Sequence, residues 1–147
     1  MIQRKQTVFL LLAFILTVVC MASQVGSLVG EASSYDVYNL WIVADDGNRS
    51  LATWPMFATL MLSALLSLVT VFLYAKRKLQ AQLCMLHMLL LVLWYVLLAV
   101  LPSSSVGGSL VLDWPAVLPA VAIILSFMAR KGVLSDERLV RSLDRIR

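Results

Sequence analysis

The sequence predicts an all-α membrane protein with four transmembrane helices and both ends in the cytoplasm, and three observations support this. Apolar residues make up 61% of the 147 residues and charged residues only 14%, whereas soluble domains carry about 25% charged residues. Four apolar stretches approach the roughly 20 helical residues that cross a bilayer core. Eleven of the twelve Lys and Arg residues lie on one side of these stretches, as in cytoplasmic loops of membrane proteins.

The first predicted span covers about residues 7–24 and follows a short basic start. Such a start and a short apolar core are also typical of a secretory signal peptide. Cleavage after Ala22 would place Cys20 at the −3 position, which is a poor match to the small residue required there. We therefore expect an uncleaved helix, and under either alternative the chain from residue 31 onward lies outside the cytoplasm.

The other three spans are predicted at about residues 54–74, 79–101 and 110–129. Pro55 falls in the first turn of the second span, where a missing N–H costs nothing, and Pro102 closes the third. Pro119 removes a helical hydrogen bond, so it either kinks the fourth helix or marks its true start. The tryptophans Trp41, Trp54, Trp94 and Trp114 fall near the outer ends, where the indole N–H is expected to stay in contact with water.

Only the outer loop of residues 30–53 is long. It contains a run of β-forming residues from 35 to 43, then the turn pair Asp46-Gly47 and a second short run. This order predicts a small outer β-hairpin-like loop. Because an isolated hairpin is marginal in water, we expect it to pack on the helix ends or on a partner. Residues 103–109 are predicted to form a flexible outer loop.

The tail of residues 135–147 is predicted to form a short C-terminal amphipathic helix. Ser135 followed by Asp136 and Glu137 is typical of a helix start. Apolar residues then recur on one face, and the opposite face carries Arg138, Arg141 and Arg145. Two uses remain open for this helix, which either lies along the inner leaflet or docks a cytoplasmic partner.

His87 is the only ionisable residue deep inside a predicted span, since Asp113 lies at the outer end of the fourth. It lies nine residues beyond Lys78, which places it roughly 13 Å deep, and such residues are functional candidates by default. The alternative is a neutral imidazole bonded to a serine of a neighbouring helix, which we favour because no second intramembrane acid or histidine completes a relay. A polar stripe on the second span would face it, through Ser63, Ser67 and Thr70.

The sequence contains no Gly-rich phosphate loop, paired carboxylates or cluster with metal-ligand spacing. We therefore predict no catalytic residue, no cofactor and no metal site. Cys20 and Cys84 fall at different depths, about 13 Å apart, which exceeds the roughly 7 Å Cα limit of a disulfide. The basic residues cluster at membrane boundaries, so they indicate anionic lipid rather than nucleic acid as a partner.

Both ends of the chain resemble a known family. The opening Met-Ile-Gln-Arg-Lys-Gln-Thr-Val-Phe-Leu-Leu-Leu-Ala and the closing Asp-Glu-Arg-Leu-Val-Arg-Ser-Leu-Asp-Arg-Ile-Arg are similar to those of small four-span membrane proteins from Bacteroidota, catalogued as a domain of unknown function. The resemblance covers the whole chain and implies the inner membrane of a Gram-negative cell. It supplies no catalytic residue.

These patterns favour a non-enzymatic accessory or assembly subunit of an inner-membrane complex. Its cytoplasmic termini, with Arg4, Arg138, Arg141 and Arg145, are expected to contact a membrane or cytoplasmic protein, a second copy of the chain, or lipid. The rival class is an oligomeric small-solute or proton-coupled transporter that uses the face around His87. A membrane enzyme comes third.

Overall fold

The protein consists of four long helices and one small antiparallel sheet. The structure, a computed structural model, describes residues 3–30, 33–73, 76–106 and 108–144. The long helices are α1 (Gln3–Ala22), α2 (Trp54–Phe72), α3 (Arg77–Val106) and α4 (Leu118–Asp144). Short 3-10 turns at Leu51–Thr53 and Trp114–Val117 lead into α2 and α4.

All four helices are long and apolar enough to span a membrane. Within their most apolar windows only 28% to 33% of residues are buried inside the protein, so most of their apolar side chains lie on the surface. Phe72 is 70% exposed and Ile124 60% exposed, for example. An apolar surface of this extent is normally covered in soluble proteins, whereas it is the expected lateral surface of a protein in hydrocarbon.

The helices pack in a ring, in which α1 and α3 each contact both α2 and α4. We call this arrangement the helix ring. Its interior contains both large side chains, such as Leu60, Leu91 and Trp94, and small ones, namely Ala13, Ala64, Ala81, Ala122 and Ala129. Association of helices in lipid depends on close van der Waals packing, and small side chains allow the backbones to approach closely.

The predicted hairpin-like loop is in fact part of a five-stranded antiparallel sheet, so the prediction underestimated the number of strands. The strand order is β4-β3-β2-β1-β5. The strands are β1 (Gln24–Val29), β2 (Ser34–Tyr38), β3 (Ile42–Ala44), β4 (Arg49–Ser50) and β5 (Ser109–Leu112). In the sequence prediction, the first residue of β1 was part of the first span, and most of β5 was part of the fourth span. Strand β5 pairs with β1, and the paired residues Val29 and Ser109 are eighty positions apart in the sequence. No local sequence pattern indicates a pairing over this distance.

A glycine turn and two hydrogen bonds of Asp45 stabilise the part of the sheet formed by β2, β3 and β4. Gly47 has a φ of 79°, a left-handed conformation that favours glycine, at the turn that the Asp46-Gly47 pair predicts. The Asp45 carboxylate accepts hydrogen bonds from the backbone N–H and the hydroxyl of Ser34, at 3.0 and 2.9 Å. These bonds stabilise the charged form and hold the pKa of Asp45 below its usual value.

Two helix ends differ from the predictions. Helix α3 continues through Pro102 to Val106, so the predicted flexible loop 103–109 begins as helix and ends in β5. The predicted separate C-terminal amphipathic helix is wrong, because α4 runs unbroken through Gly132 and Ser135 to Asp144. Helix α4 begins at Leu118, and Pro119 therefore marks a helix start, which was one of the two alternatives.

Candidate functional site

A buried hydrogen bond joins the two ends of the chain. The side-chain amide of Gln6 on α1 donates to the carboxylate of Asp136 on α4 at 2.8 Å, and the two residues are only 6% and 9% exposed. Gly132 lies one turn before Asp136 on the same face of α4. A Cβ at Gly132 would lie 3.0 Å from the Cγ of Gln6. The glycine therefore makes room for the Gln6 side chain instead of ending the helix.

The turn between α2 and α3 is fixed to the same part of α4. Arg77, the first residue of α3, donates from Nη1 to the main-chain carbonyl of Asp136 at 3.2 Å. Lys5, Lys76 and Lys78 lie nearby in sequence and are exposed. We call this end of the helix ring, around Gln6, Arg77 and Asp136, the basic end, and the opposite end the sheet end.

A groove of about 370 Å³ runs along α4 at the basic end. Its lining residues share one face of the helix and are Phe127, Arg130, Lys131, Leu134, Ser135 and Arg138. We call it the α4 groove. Of the arginines predicted as contacts, only Arg138 can be placed by its side chain, which is exposed. The side chains of Arg4 and Arg141, and all of Arg145, lie outside the described residues.

His87 contacts the neighbouring helix α2 through a serine. Its Nδ1 lies 2.8 Å from the hydroxyl of Ser63 and 3.0 Å from the main-chain oxygen of Ser63. Both residues are fully buried. This is the kind of contact that the packing alternative predicts for the histidine.

The rest of the predicted polar stripe does not converge on His87. The Ser67 hydroxyl donates to the carbonyl of Leu10 on α1 at 3.0 Å, and the Thr70 hydroxyl donates to Leu66 within its own helix. Gln80 on α3 donates to the Thr70 carbonyl at 3.3 Å. The stripe therefore links α2 to both neighbouring helices, α1 and α3, and of its three predicted residues only Ser63 contacts His87.

Three buried polar atoms have no hydrogen-bond partner among the described residues: His87 Nε2, Ser126 Oγ and Arg130 Nε. Ser126 and Arg130 are one turn apart on α4. Cys84, one turn before His87 on α3, packs in one cluster with Ala129. Since α3 and α4 run in opposite directions, His87 lies at about the level of Ser126. Unpaired buried polar atoms are uncommon and require an explanation.

No pattern in the sequence indicates the polar contact that lies at the sheet end. The Asn39 amide donates to the carbonyl of Cys20 at 2.7 Å, and its oxygen accepts the indole N–H of Trp94 at 2.9 Å. The Asn39 carbonyl also accepts the backbone N–H of Phe57 at 3.1 Å. Trp94 is fully buried, so the expectation of a water-exposed indole was wrong for it, whereas Trp114 is 70% exposed.

Within the described part of the chain, no three His, Cys, Asp or Glu residues are grouped so that they could hold a metal ion. The two cysteines, Cys20 and Cys84, are buried and not bonded to each other.

Four helices long and apolar enough to cross a bilayer, with apolar side chains over their outer surface, define a multi-pass membrane protein. The chain belongs to the family described as Domain of unknown function (DUF4293), whose model matches residues 2–146. The match covers both terminal motifs except for Met1 and Arg147 and agrees with the resemblance found in the sequence. No curated protein matches the chain.

Proposed function

We propose that this protein is a non-enzymatic accessory or assembly subunit of a complex in the bacterial inner membrane. The supporting observation is the buried Gln6–Asp136 hydrogen bond. It joins the N-terminal segment and the C-terminal part of α4, the two segments that carry the family resemblance, into one rigid surface. A preorganised surface of this kind binds a partner without first having to be ordered.

The charge distribution supports the orientation that this proposal needs. Of the residues that the structure describes, the basic end contains or adjoins every Lys and Arg except Arg49, whereas Asp36, Asp45 and Asp46 belong to the sheet end. Because Lys and Arg collect on the cytoplasmic side, both termini face the cytoplasm in our proposal. The sheet then lies on the other side of the membrane.

The last turns of α4 are the proposed docking element. At 1.5 Å per residue, α4 is about 40 Å long, roughly 10 Å longer than a bilayer core. Leu139 is 54% and Val140 43% exposed, beyond the level at which Asp136 meets Gln6 and Arg77. Apolar side chains beside Arg138 form the mixed surface that a protein partner with an acidic rim would cover.

Replacing Arg138, Arg141 and Arg145 together by Gln tests this proposal. The tagged protein is solubilised from its native membrane in mild detergent, and co-purifying proteins are quantified by mass spectrometry. We expect the recovery of the partner to fall by about tenfold or more, since a loss of 1.4 kcal/mol in affinity is a factor of ten. Insertion of the variant into the membrane should be unchanged.

The matched control replaces Lys5, Lys76 and Lys78 by Gln, which removes the same charge from exposed positions at the same end. This control should keep its partner. Unchanged recovery of the partner with the triple arginine variant would contradict the proposal. An equal loss of the partner in both variants would show that it is held by unspecific charge attraction.

One observation favours a transporter as the second candidate. His87 Nε2 and Ser126 Oγ are unpartnered among the described residues and buried at about the same level of the helix ring, as groups that contact a passing solute or water would be. In this case the purified protein would be a homo-oligomer without another subunit. Vesicles containing it would show transport that is lost in His87→Ala and kept in Lys76→Ala.

A further inference from the structure

We propose that the α4 groove is a binding site for an anionic phospholipid of the leaflet at the basic end. Its phosphate would lie among Arg130, Lys131 and Ser135, and an acyl chain would follow α4 toward Phe127. The site shares with the proposed function the placement of the basic end at a membrane surface and one residue, Arg138. It requires no protein partner.

The charge of the groove selects an anion. Three of its six lining residues are cationic, and the lining residues described include no acid. Asp136 is buried on another face of α4, where it accepts the Gln6 amide. Guanidinium and ammonium groups bind phosphate oxygens through charge-assisted hydrogen bonds, and the hydroxyl of Ser135 adds a neutral donor.

The guanidinium of Arg130 supplies a second, independent indication. Its Nε is buried and has no acceptor among the described residues, although the side chain lines the groove. A buried charged donor without an acceptor is costly. A phosphate oxygen in the groove would satisfy this donor, and the zwitterionic head group of phosphatidylcholine would not supply the net negative charge that three cations attract.

The order of side chains along α4 matches a phospholipid rather than a free phosphate. Ile124 and Phe127 are 60% and 54% exposed on the part of α4 that faces hydrocarbon. The cations Arg130 and Lys131 follow within one turn, and Arg138 lies two turns further on. An amphiphile lying along this face places its chain against the apolar residues and its phosphate among the cations.

A second crevice at the same end provides a matched control. It is lined by Lys76, Arg77, Lys78, Leu79 and Glu137 and measures about 420 Å³. Its lining has as many cations as the α4 groove, but it includes a carboxylate that opposes an anion. Loss of two charges there should affect general attraction to an acidic membrane and leave the proposed site intact.

The test is lipid binding to the purified full chain in neutral detergent, followed by native mass spectrometry during titration with phosphatidylglycerol or phosphatidylcholine. We expect phosphatidylglycerol to bind the native protein at least about tenfold more tightly than phosphatidylcholine. The double variant Arg130→Gln, Lys131→Gln should weaken phosphatidylglycerol binding by about tenfold or more, and Lys76→Gln, Lys78→Gln by less than about threefold. The charge-preserving variant Arg130→Lys, Lys131→Arg should keep most of the binding.

Several results would overturn the site. If both double variants weaken phosphatidylglycerol binding equally, the lipid is held by general attraction to the charged surface. If the two lipids bind equally well, the groove binds acyl chains and does not recognise the phosphate charge. Competition by soluble glycerol phosphate as strong as that of the lipid would mean a site for free phosphate. If the first double variant does not fold, the single substitution Lys131→Gln at an exposed position of the same site gives the same comparison. A failure in this assay leaves the co-purification result untouched, so the two proposals are tested separately.

Discussion

Replacing Asn39 by Leu should destabilise the protein by about 3 kcal/mol or more, one of the largest effects expected of a single substitution. The substitution leaves the Trp94 indole N–H without its acceptor and removes one of the two donors of the Cys20 carbonyl, which also accepts the backbone N–H of Ser23 at 3.2 Å. Asn39, Cys20 and Trp94 are all fully buried. Each buried group left unpaired costs about 1–3 kcal/mol. Total stabilities are commonly only about 5–15 kcal/mol, so the folded population in detergent should fall visibly.

Thermal or denaturant unfolding followed by tryptophan fluorescence measures this effect. The control is Asn48→Ala, because the Asn48 side chain is exposed and should change stability by less than about 0.5 kcal/mol. Trp94→Phe keeps an aromatic ring but removes the N–H. In a double-mutant cycle with Asn39→Leu we expect a coupling of about 1–2 kcal/mol. Additive effects would mean that the Asn39–Trp94 bond contributes nothing.

Replacing Gly26 by Val should detach β5 from β1 and cost about 3 kcal/mol. A Cβ at Gly26 would lie 2.5 Å from the main-chain oxygen of Val111 and 3.4 Å from the Cα of Leu112. The obstacle is backbone, which cannot move aside like the end of a side chain. Overpacking commonly costs about 1–3 kcal/mol even where side chains can yield, and a strand glycine often marks such a close approach.

Hydrogen exchange of the β5 amides (Ser109–Leu112) tests this effect directly, together with the unfolding midpoint. Gly30→Ala is the matched control, because its Cβ would lie 3.2 Å from the Ser33 oxygen, a tight contact that a shift of a few tenths of an ångström relieves. We expect less than about 1 kcal/mol for this control. Protected β5 amides in Gly26→Val would show that the strand pairing tolerates the side chain.

The four helices could be predicted from the sequence because each contains a continuous run of apolar residues, which a helix in hydrocarbon requires. Helix α2 begins at residue 54 as expected, and α1 ends at Ala22, two residues before the predicted limit of 24. The sheet was largely missed because β5 joins β1 through a pairing distant in sequence. The continuous α4 was missed because Gly132 faces Gln6, which is 126 positions away along the chain.

The candidate site was predictable only in part, for a similar reason. His87 is conspicuous as a lone ionisable residue in an apolar run, and a serine of the neighbouring helix is its contact. Gln6 is an unremarkable polar residue in the sequence, and Asp136 looks like a residue of a helix start. Their bond depends on α1 and α4 lying side by side, which the hydropathy of either helix does not reveal.

The position of β5 has a consequence for the order of assembly during synthesis. Strands β1 to β4 belong to the first fifty residues. In the topology proposed above, they can pair as soon as that segment has crossed the membrane. Strand β5 follows α3, and its pairing with β1 must wait until two further helices have been threaded through the membrane. Long-range pairings form late because the intervening chain has to be closed first. The edge of the sheet is therefore completed only after α3 and β5 have been synthesised, and a nascent chain arrested before residue 109 leaves the edge of β1 unpaired.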